Sequence, residues 1–503
     1  MSSLTSELLE QHCKSKDHIT CIQELFQHHG LTPNNNHDVS DYEFFYEACI
    51  NEKVTEEIIQ YLLDYFPNAA RSTNNRTPLH CACRNKNVTV NIIRILIDAA
   101  PAAVQSVNMG GDTPLHYLCR NKDLDEKAAV EILKLFIEKR PEAVRHVNNN
   151  IGCLPIHFAA AIRSPEFCRV LIEAYPGSER YTNTDGAMPL HSACRTNTLP
   201  TVEYLYRLFP AAIARADNLG FSPIHATIRG TKRRDNPASA TEIVQFLLNC
   251  DSSVKAQRGR GMSLLQLACG QDYNESNIEA GMKMIKFLFD AHPEAIEDQT
   301  IVSSIQDYHH QVQEFINGEL VYARQAKDHR LMTTPDMNRQ LPLHIALQNN
   351  VRLGSIKLLV KGNPCAIRYV GYDSKFPLHT ACQHHDSASV VQYLLSLDAT
   401  VLDAVDRHRN TALHYACQGA KYKTIALLLE KYDAALVFKS NAYGELPIHL
   451  LLLCSAVAVD RDCVEYTGSI FQLMRAYPFP ELVALSYGHG DERKRKFCHN
   501  QEE

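Results

Sequence analysis

The chain has 503 residues, with 51 Lys and Arg against 57 Asp and Glu, for a formal net charge of −6. An apolar content of 45 % with 21 % charged residues excludes a disordered tail, and 21 Gly with 22 Pro exclude collagen-like and low-complexity classes. The slight acidity removes the global basic field of a dedicated nucleic-acid binder, while length alone would allow about three domains.

In chain order, Met1 to Glu7 carries neither a basic nor an apolar leader, so no secretory signal is expected. Residues 1–41 are expected to form a helical cap, with Leu8, Leu9, Cys13, Ile19, Ile22, Leu25 and Phe26 as its apolar side. One motif then recurs. It reads Thr77-Pro78-Leu79-His80, Thr113-Pro114-Leu115-His116, Leu154-Pro155-Ile156-His157, Met188-Pro189-Leu190-His191 and Ser222-Pro223-Ile224-His225. Later copies end at His344, His379, His414 and His449, and degenerate copies lie at Tyr46 and Gln266. Successive copies are 34 to 41 residues apart, with one gap of 78. A fixed period of this size means stacked supersecondary units, not three globular domains.

Each unit shows the same parts. A hydroxyl such as that of Thr77 suits a helix N-cap, and Pro78 suits the first helical position, where no N–H is needed. A short first helix follows, then a second helix apolar at helical spacing, as in Ile92, Ile93, Leu96 and Ile97. The second helix ends at a proline (Pro67, Pro101, Pro141, Pro176, Pro210, Pro293, Pro364, Pro478) or at Asp251, Asp398 or Asp433. Gly lies five residues before the motif histidine position at Gly111, Gly152, Gly186, Gly220, Gly261 and Gly444, as a left-handed turn requires.

The Thr-Pro-Leu-His-x-Ala core and its period resemble ankyrin repeats. The resemblance covers residues 42–482 and implies an all-α solenoid of stacked helix pairs with hairpin-like fingers. The Pro-terminated second helix, as in Tyr61-Leu62-Leu63-Asp64-Tyr65-Phe66-Pro67, departs from the usual Gly-rich ending and resembles the expanded ankyrin families of diatom-like algae.

The expected organisation is a repeat block over 42–298, an inserted segment over 299–333, a second block over 334–482 and a charged tail over 483–503. In the insertion, Ile301, Ile305, Tyr308, Val312, Phe315, Leu320 and Ala323 recur at helical spacing, which predicts one long amphipathic helix over 301–327. It is either docked on the solenoid or a hinge. The apolar run from Leu446 to Val459 is too short to span a bilayer and reads as a buried helix. The run Arg493-Lys494-Arg495-Lys496 is a solvated terminus or a nuclear-import signal.

No catalytic constellation is found. The motif histidines, His80, His116, His157, His191, His225, His344, His379, His414 and His449, are read as structural, bonding backbone or the capping hydroxyl at each helix start. Seventeen cysteines without a leader argue against a disulfide framework. Cys49, Cys83, Cys119, Cys194, Cys269, Cys382 and Cys417 fall at one repeat position, which is a packing position, so neither metal nor cofactor is expected. Arg84-Asn85-Lys86 and Arg120-Asn121-Lys122 are read as compensating helix C-terminal dipoles, and the pairs His309-His310 and His384-His385 as solvent-facing. Fingers of the second block carry Arg339, Tyr372, Lys375, Arg407, His408, Arg409 and Tyr443, a basic, aromatic-containing strip suited to an acidic segment of a partner protein. The bland alternative is scattered solvated charge. A non-catalytic protein-interaction scaffold in the cytosol is the function expected, with a regulatory arm of a nuclear signalling or transcriptional assembly as the alternative.

Overall fold

The computed structural model describes residues 19–28, 42–71, 76–231, 236–431 and 437–455, with 468, 471–473 and 475. Expectations placed on Leu8, Leu9, Cys13, Asp433, Pro478 and the basic run at 493–496 lie outside those residues. The chain divides into two compact units, residues 1–287 with 307–309 and residues 288–306 with 310–503. Among the described residues every regular element is helical, and the only extended pairing is an isolated bridge between Gly259 and Met262.

The His116 repeat shows how sequence becomes structure. Thr113 is extended, and Pro114 opens the short helix Pro114–Arg120, which buries Leu115, Leu118 and Cys119. Asp125 then caps the second helix, Glu126–Lys139, its carboxylate accepting from the Ala128 amide at 3.1 Å. That helix buries a stripe made of Ala129, Val130, Ile132, Leu133 and Phe136. Each such large apolar side chain contributes roughly 1.5–3 kcal/mol through burial. The helix stops at Arg140, held at φ −153°, because a residue before proline is pushed out of the α region.

The proline does more than stop the helix. Pro141–Arg145 is a 3₁₀ turn that buries Ala143 and Val144. The same turn recurs at Pro101–Gln105, Pro210–Ala214, Pro293–Glu297 and Pro364–Arg368, each burying an Ala and a β-branched neighbour. Where Asp398 replaces the proline, its carboxylate accepts from the Thr400 amide at 3.0 Å and opens an equivalent turn.

Within the first unit, the first helices pack one on the next, from Glu43–Ile50 through Pro78–Arg84, Pro114–Arg120, Pro155–Ile162, Pro189–Thr196 and Pro223–Gly230 to Leu264–Cys269. The second helices form a parallel row beside them. The seven cysteines at the common position are wholly buried in this packing. Burial pushes the Cys119, Cys269 and Cys382 thiols up to about 12, so they stay protonated small hydrophobes. Of the N-terminal cap, the helix Ile19–His28 buries Ile22 and Phe26, and the Phe26 ring meets Tyr61, Tyr65 and Phe66 at 5.3, 4.7 and 5.8 Å between centroids.

In the second unit the first helices are Pro342–Gln348, Pro377–His384, Ala412–Gln418 and Pro447–Ser455. The single helix predicted over 301–327 is broken. Asp298 caps a short helix Gln299–Ser303, a 3₁₀ turn occupies Ile305–Asp307, and the long helix starts only at His310, running to Lys327. Periodicity sees the apolar spacing but not Ser303, Ser304 and Asp307, whose short polar side chains favour turns and caps over helix interior. Helix His310–Lys327 buries Val312, Ile316, Leu320 and Ala323 and packs on Leu353–Gly362, so it heads the row of second helices in its unit. Gly362 permits the approach, since a Cβ there would lie 2.4 Å from the Ala326 carbonyl oxygen.

Candidate protein-interaction surface

The motif histidines form a ladder between repeats. The Thr77 amide donates to His80 Nδ1 at 3.0 Å, and the Thr77 hydroxyl lies 2.8 Å from the same nitrogen. A backbone N–H can only donate, so Nδ1 accepts and Nε2 carries the proton. Nε2 then donates to the Asp112 carbonyl of the next repeat at 3.0 Å. His116 reaches the Cys153 carbonyl at 3.2 Å, His379 reaches Ala404 at 3.1 Å, and His414 reaches Glu445 at 3.2 Å. His157, His191, His225 and His449 take the same amide bond from Leu154, Met188, Ser222 and Leu446 at 2.9–3.3 Å. In His157, His191 and His225 the Nε2 is buried without a hydrogen-bond partner, so these rungs stop at their own repeat, and His344 occupies the same buried place without the amide bond either. Where the motif keeps its histidine, the threonine and serine hydroxyls thus serve the ring; backbone capping by hydroxyls occurs on second helices, as at Thr89 and Ser164, and at Ser263, where Gln266 replaces the histidine. Burial holds His80, His116, His157, His225 and His379 neutral, with pKa values lowered to about 4.

A second ladder, which sequence reasoning missed, closes the other end of the first helices. Asn121 Nδ2 donates to the Cys83 and Asn85 carbonyls of the preceding repeat, both at 3.0 Å. Asn85 does the same for Cys49 and Asn51, and Asn197 for Ala160 and Arg163. Arg163, only 2 % exposed, fills this place in its own repeat and donates to the Leu118 and Leu124 carbonyls. In the second unit His385 takes the role, with Nδ1 accepting from the Ser387 amide and Nε2 reaching the Val351 carbonyl at 2.8 Å. His385 is therefore buried, correcting the solvent-facing expectation; His384 is exposed. The cations beside these asparagines form ion pairs: Arg120 with Asp112 at 2.6 Å and Lys86 with Glu52 at 2.7 Å.

Apart from Gly259–Met262 and Gly371–Lys375, which close by backbone bonds, each described finger is a turn held by one short polar side chain. Asn108 Oδ1 accepts from the Gly110 and Asp112 amides at 2.9 and 2.8 Å; Asp406 Oδ1 does so for His408 and Asn410 at 2.9 and 2.7 Å. Backbone bonds link finger to finger, from Asn149 to Gly110, from Arg407 to Asp373 and from Ala442 to His408. The turn needs one left-handed residue. Gly111 supplies it at φ +76° and Gly444 at φ +77°. In the second unit three side-chain-bearing residues stand at that place instead: Arg339 at +57°, Ser374 at +59° and Arg409 at +61°.

Here lie the residues expected to meet a partner. Tyr372 and Tyr443 are 56 % and 62 % exposed. The Arg407 guanidinium lies 5.9 Å from the Tyr372 ring, ion-pairs with Asp373 at 2.9 Å and donates from Nε to His408 Nε2 at 2.9 Å. His408 stacks on Tyr443 with centroids 6.0 Å apart and planes at 20°. Tyr372, Arg407, His408 and Tyr443 therefore form one continuous run over three fingers. Lys375 points away from it, donating to Gln383 Oε1 at 2.9 Å above the Tyr415 ring, and burial lowers its pKa. Two of the four expected cations are thus engaged within the chain. Arg339 and Arg409 are exposed and have no ion pair among the described residues.

Among the described residues no three His, Cys, Asp or Glu side chains converge as metal ligands, and no helix is long and apolar enough to cross a membrane. The sequence model of the family described as ankyrin repeats (3 copies) matches residues 9–105, 45–142, 124–214 and 343–440. The stretch left unmatched between them holds the His225 and Gln266 copies and the broken insertion. No curated protein matches the chain. Matched over more than half of its length, and built of stacked helix pairs with a His ladder between them, the chain belongs to the ankyrin-repeat family.

Proposed function

We propose that this protein is a non-catalytic scaffold whose second unit docks an acidic segment of a partner protein on its fingers. Ankyrin repeats are protein-interaction modules in general. The observation that carries the specific reading is the exposed run Tyr372–Arg407–His408–Tyr443, flanked by the unpaired Arg339 and Arg409. Tyr and Arg combine large contact area with few rotatable bonds to freeze, which is why they dominate interface energetics. In the interior the polar groups tie repeat to repeat; at these tips they face outward.

The test is affinity capture from native cell extract, read by mass spectrometry, with wild type and a Tyr372→Ala/Tyr443→Ala variant in parallel. Both side chains are more than half exposed, so the variant should melt as wild type does. Specific partners are expected on the wild type and lost on the variant. Equal capture by the two would remove the fingers from the interaction surface.

A further inference from the structure

Two cations of the finger strip are left unspent by the chain itself, and their placement departs from the glycine rule of the repeat. The first unit uses Gly at the left-handed finger position from Gly111 to Gly261, as steric repulsion of Cβ in that region demands. Arginine has no conformational advantage there over glycine. Yet it stands there twice, at Arg339 and at Arg409, in both cases exposed and without an ion pair among the described residues. Between them, the middle finger carries Ser374 at the same position and presents Tyr372. Its cationic neighbours are spent: Arg407 is neutralised by Asp373, and Lys375 turns away to Gln383.

We infer that Arg339 and Arg409 form a two-point carboxylate reader for a single extended segment of a partner protein. It takes two acidic side chains about five or six residues apart, with an apolar or aromatic side chain between them on Tyr372. The inference rests on the scaffold reading above and names the partner's chemistry. Spacing follows from packing. The first helices of these repeats lie directly against one another, and helices in contact are about 8–10 Å apart. Finger tips two repeats apart are therefore separated by roughly 16–20 Å, which an extended chain covers at about 3.3 Å per residue. A planar guanidinium matches a carboxylate in a two-bond fork, so each tip reads charge and orientation together. The Tyr372 face beside the Arg407 guanidinium suits an apolar or π-bearing side chain, and its surroundings carry no free cation to favour a third acid.

Glycine at either position removes the reader while relieving the left-handed strain, so loss of binding cannot be ascribed to a loss of fold. A displayed library of random peptides about twelve residues long, enough to cover the span at 3.3 Å per residue, is panned on the full chain. Enriched peptides are expected to carry an acidic pair about five or six residues apart around an apolar or aromatic residue. Their affinity should fall at least about tenfold for Arg339→Gly and for Arg409→Gly, and on Asp→Asn exchange in the peptide, while both protein variants melt at or above wild type. Enriched peptides without the acidic pair, or indifferent to both glycine variants, overturn the inference. The scaffold reading then survives if Tyr372→Ala/Tyr443→Ala abolishes their binding. If the folded chain enriches no peptide, the inference fails outright, and the capture experiment decides the scaffold reading separately.

Discussion

The two units share one repeat and deploy their charge differently. At the fourth residue after the motif histidine, the first unit has Arg84, Arg120, Arg195 and Arg229, whereas the second has Gln348, Gln383 and Gln418. In the first, the helix-borne Arg120 reaches back to Asp112 on the finger and lies 3.8 Å from the Phe158 ring. In the second the pair is transposed: finger-borne Lys375 reaches to Gln383 on the helix. Glycine fingers in the first unit give way to Arg339, Ser374 and Arg409 in the second, where Gly444 alone among the described fingers keeps the glycine. The same scaffold thus carries cations on most of its first helices in one unit, with Arg258 and Arg260 on its last finger, and on its finger tips in the other. The difference lies at two positions per repeat that leave the core untouched.

Acid should separate the units most strongly, because it acts on many copies at once. The ladder histidines are buried neutral, with folded pKa values lowered from 6.5 to about 4 at His80, His116, His157 and His225 in the first unit and at His379 in the second, while burial lowers His191 in the first unit and His344, His385 and His414 in the second less strongly. Between those two values the unfolded chain binds more protons than the folded one. Their contribution to stability is therefore complete above about pH 6.5 and is lost as pH falls toward 4. Hydrogen exchange at pH values of about 7.5 and 5 is expected to show earlier opening of the first unit. Equal or greater loss in the second would break the comparison.

Core truncation comes next. Leu190 and Leu378, 2 % and 1 % exposed, fill equivalent places in the two units. Leu190→Ala or Leu378→Ala should each cost roughly 2–5 kcal/mol and lower the melting of its own unit only. Calorimetry showing one transition shifted as a whole by either change would mean that the units unfold together. The smallest effect is expected at the second ladder. Asn121→Ala leaves the Cys83 and Asn85 carbonyls without their donor, and His385→Ala leaves that of Val351, at about 1–3 kcal/mol each. His385→Asn, installing the first unit's residue, should retain most of that stability in denaturant titration. A loss equal to that of His385→Ala would show that the two units do not close their helices interchangeably.

The repeat, the helix pairs, the cysteine packing position and the left-handed glycines were legible because each is a local rule repeated along the chain. Other features needed three dimensions. Asn121 sits 38 residues from Cys83, so its bond joins neighbouring repeats and no short-range pattern reports it. The Pro141-Glu142-Ala143-Val144 turn was readable from its recurrence at Pro101, Pro210, Pro293 and Pro364, but proline's better-known role as a helix stop conceals it. At the finger strip, sequence named the residues yet could not tell spent charge from free charge. That distinction depends on Asp373 meeting Arg407 and Gln383 meeting Lys375 across 34 and 8 positions of sequence. The broken insertion is a different failure, in which apolar period and polar turn chemistry disagree over 303–309 and the turn prevails.

The histidine ladder also bears on how such a chain can grow. At His80, His116, His379 and His414 the ring takes its own amide partner through the Pro-x-His or Ala-x-His geometry, but what it grasps in the next repeat is a peptide carbonyl, which every amino acid supplies. The joint is specified from one side only. A duplicated or borrowed repeat therefore needs no matching side chain in its neighbour to be accepted, provided its finger keeps its length. The ladder thus acts as a universal coupling, leaving the finger tips free to diverge from one repeat to the next.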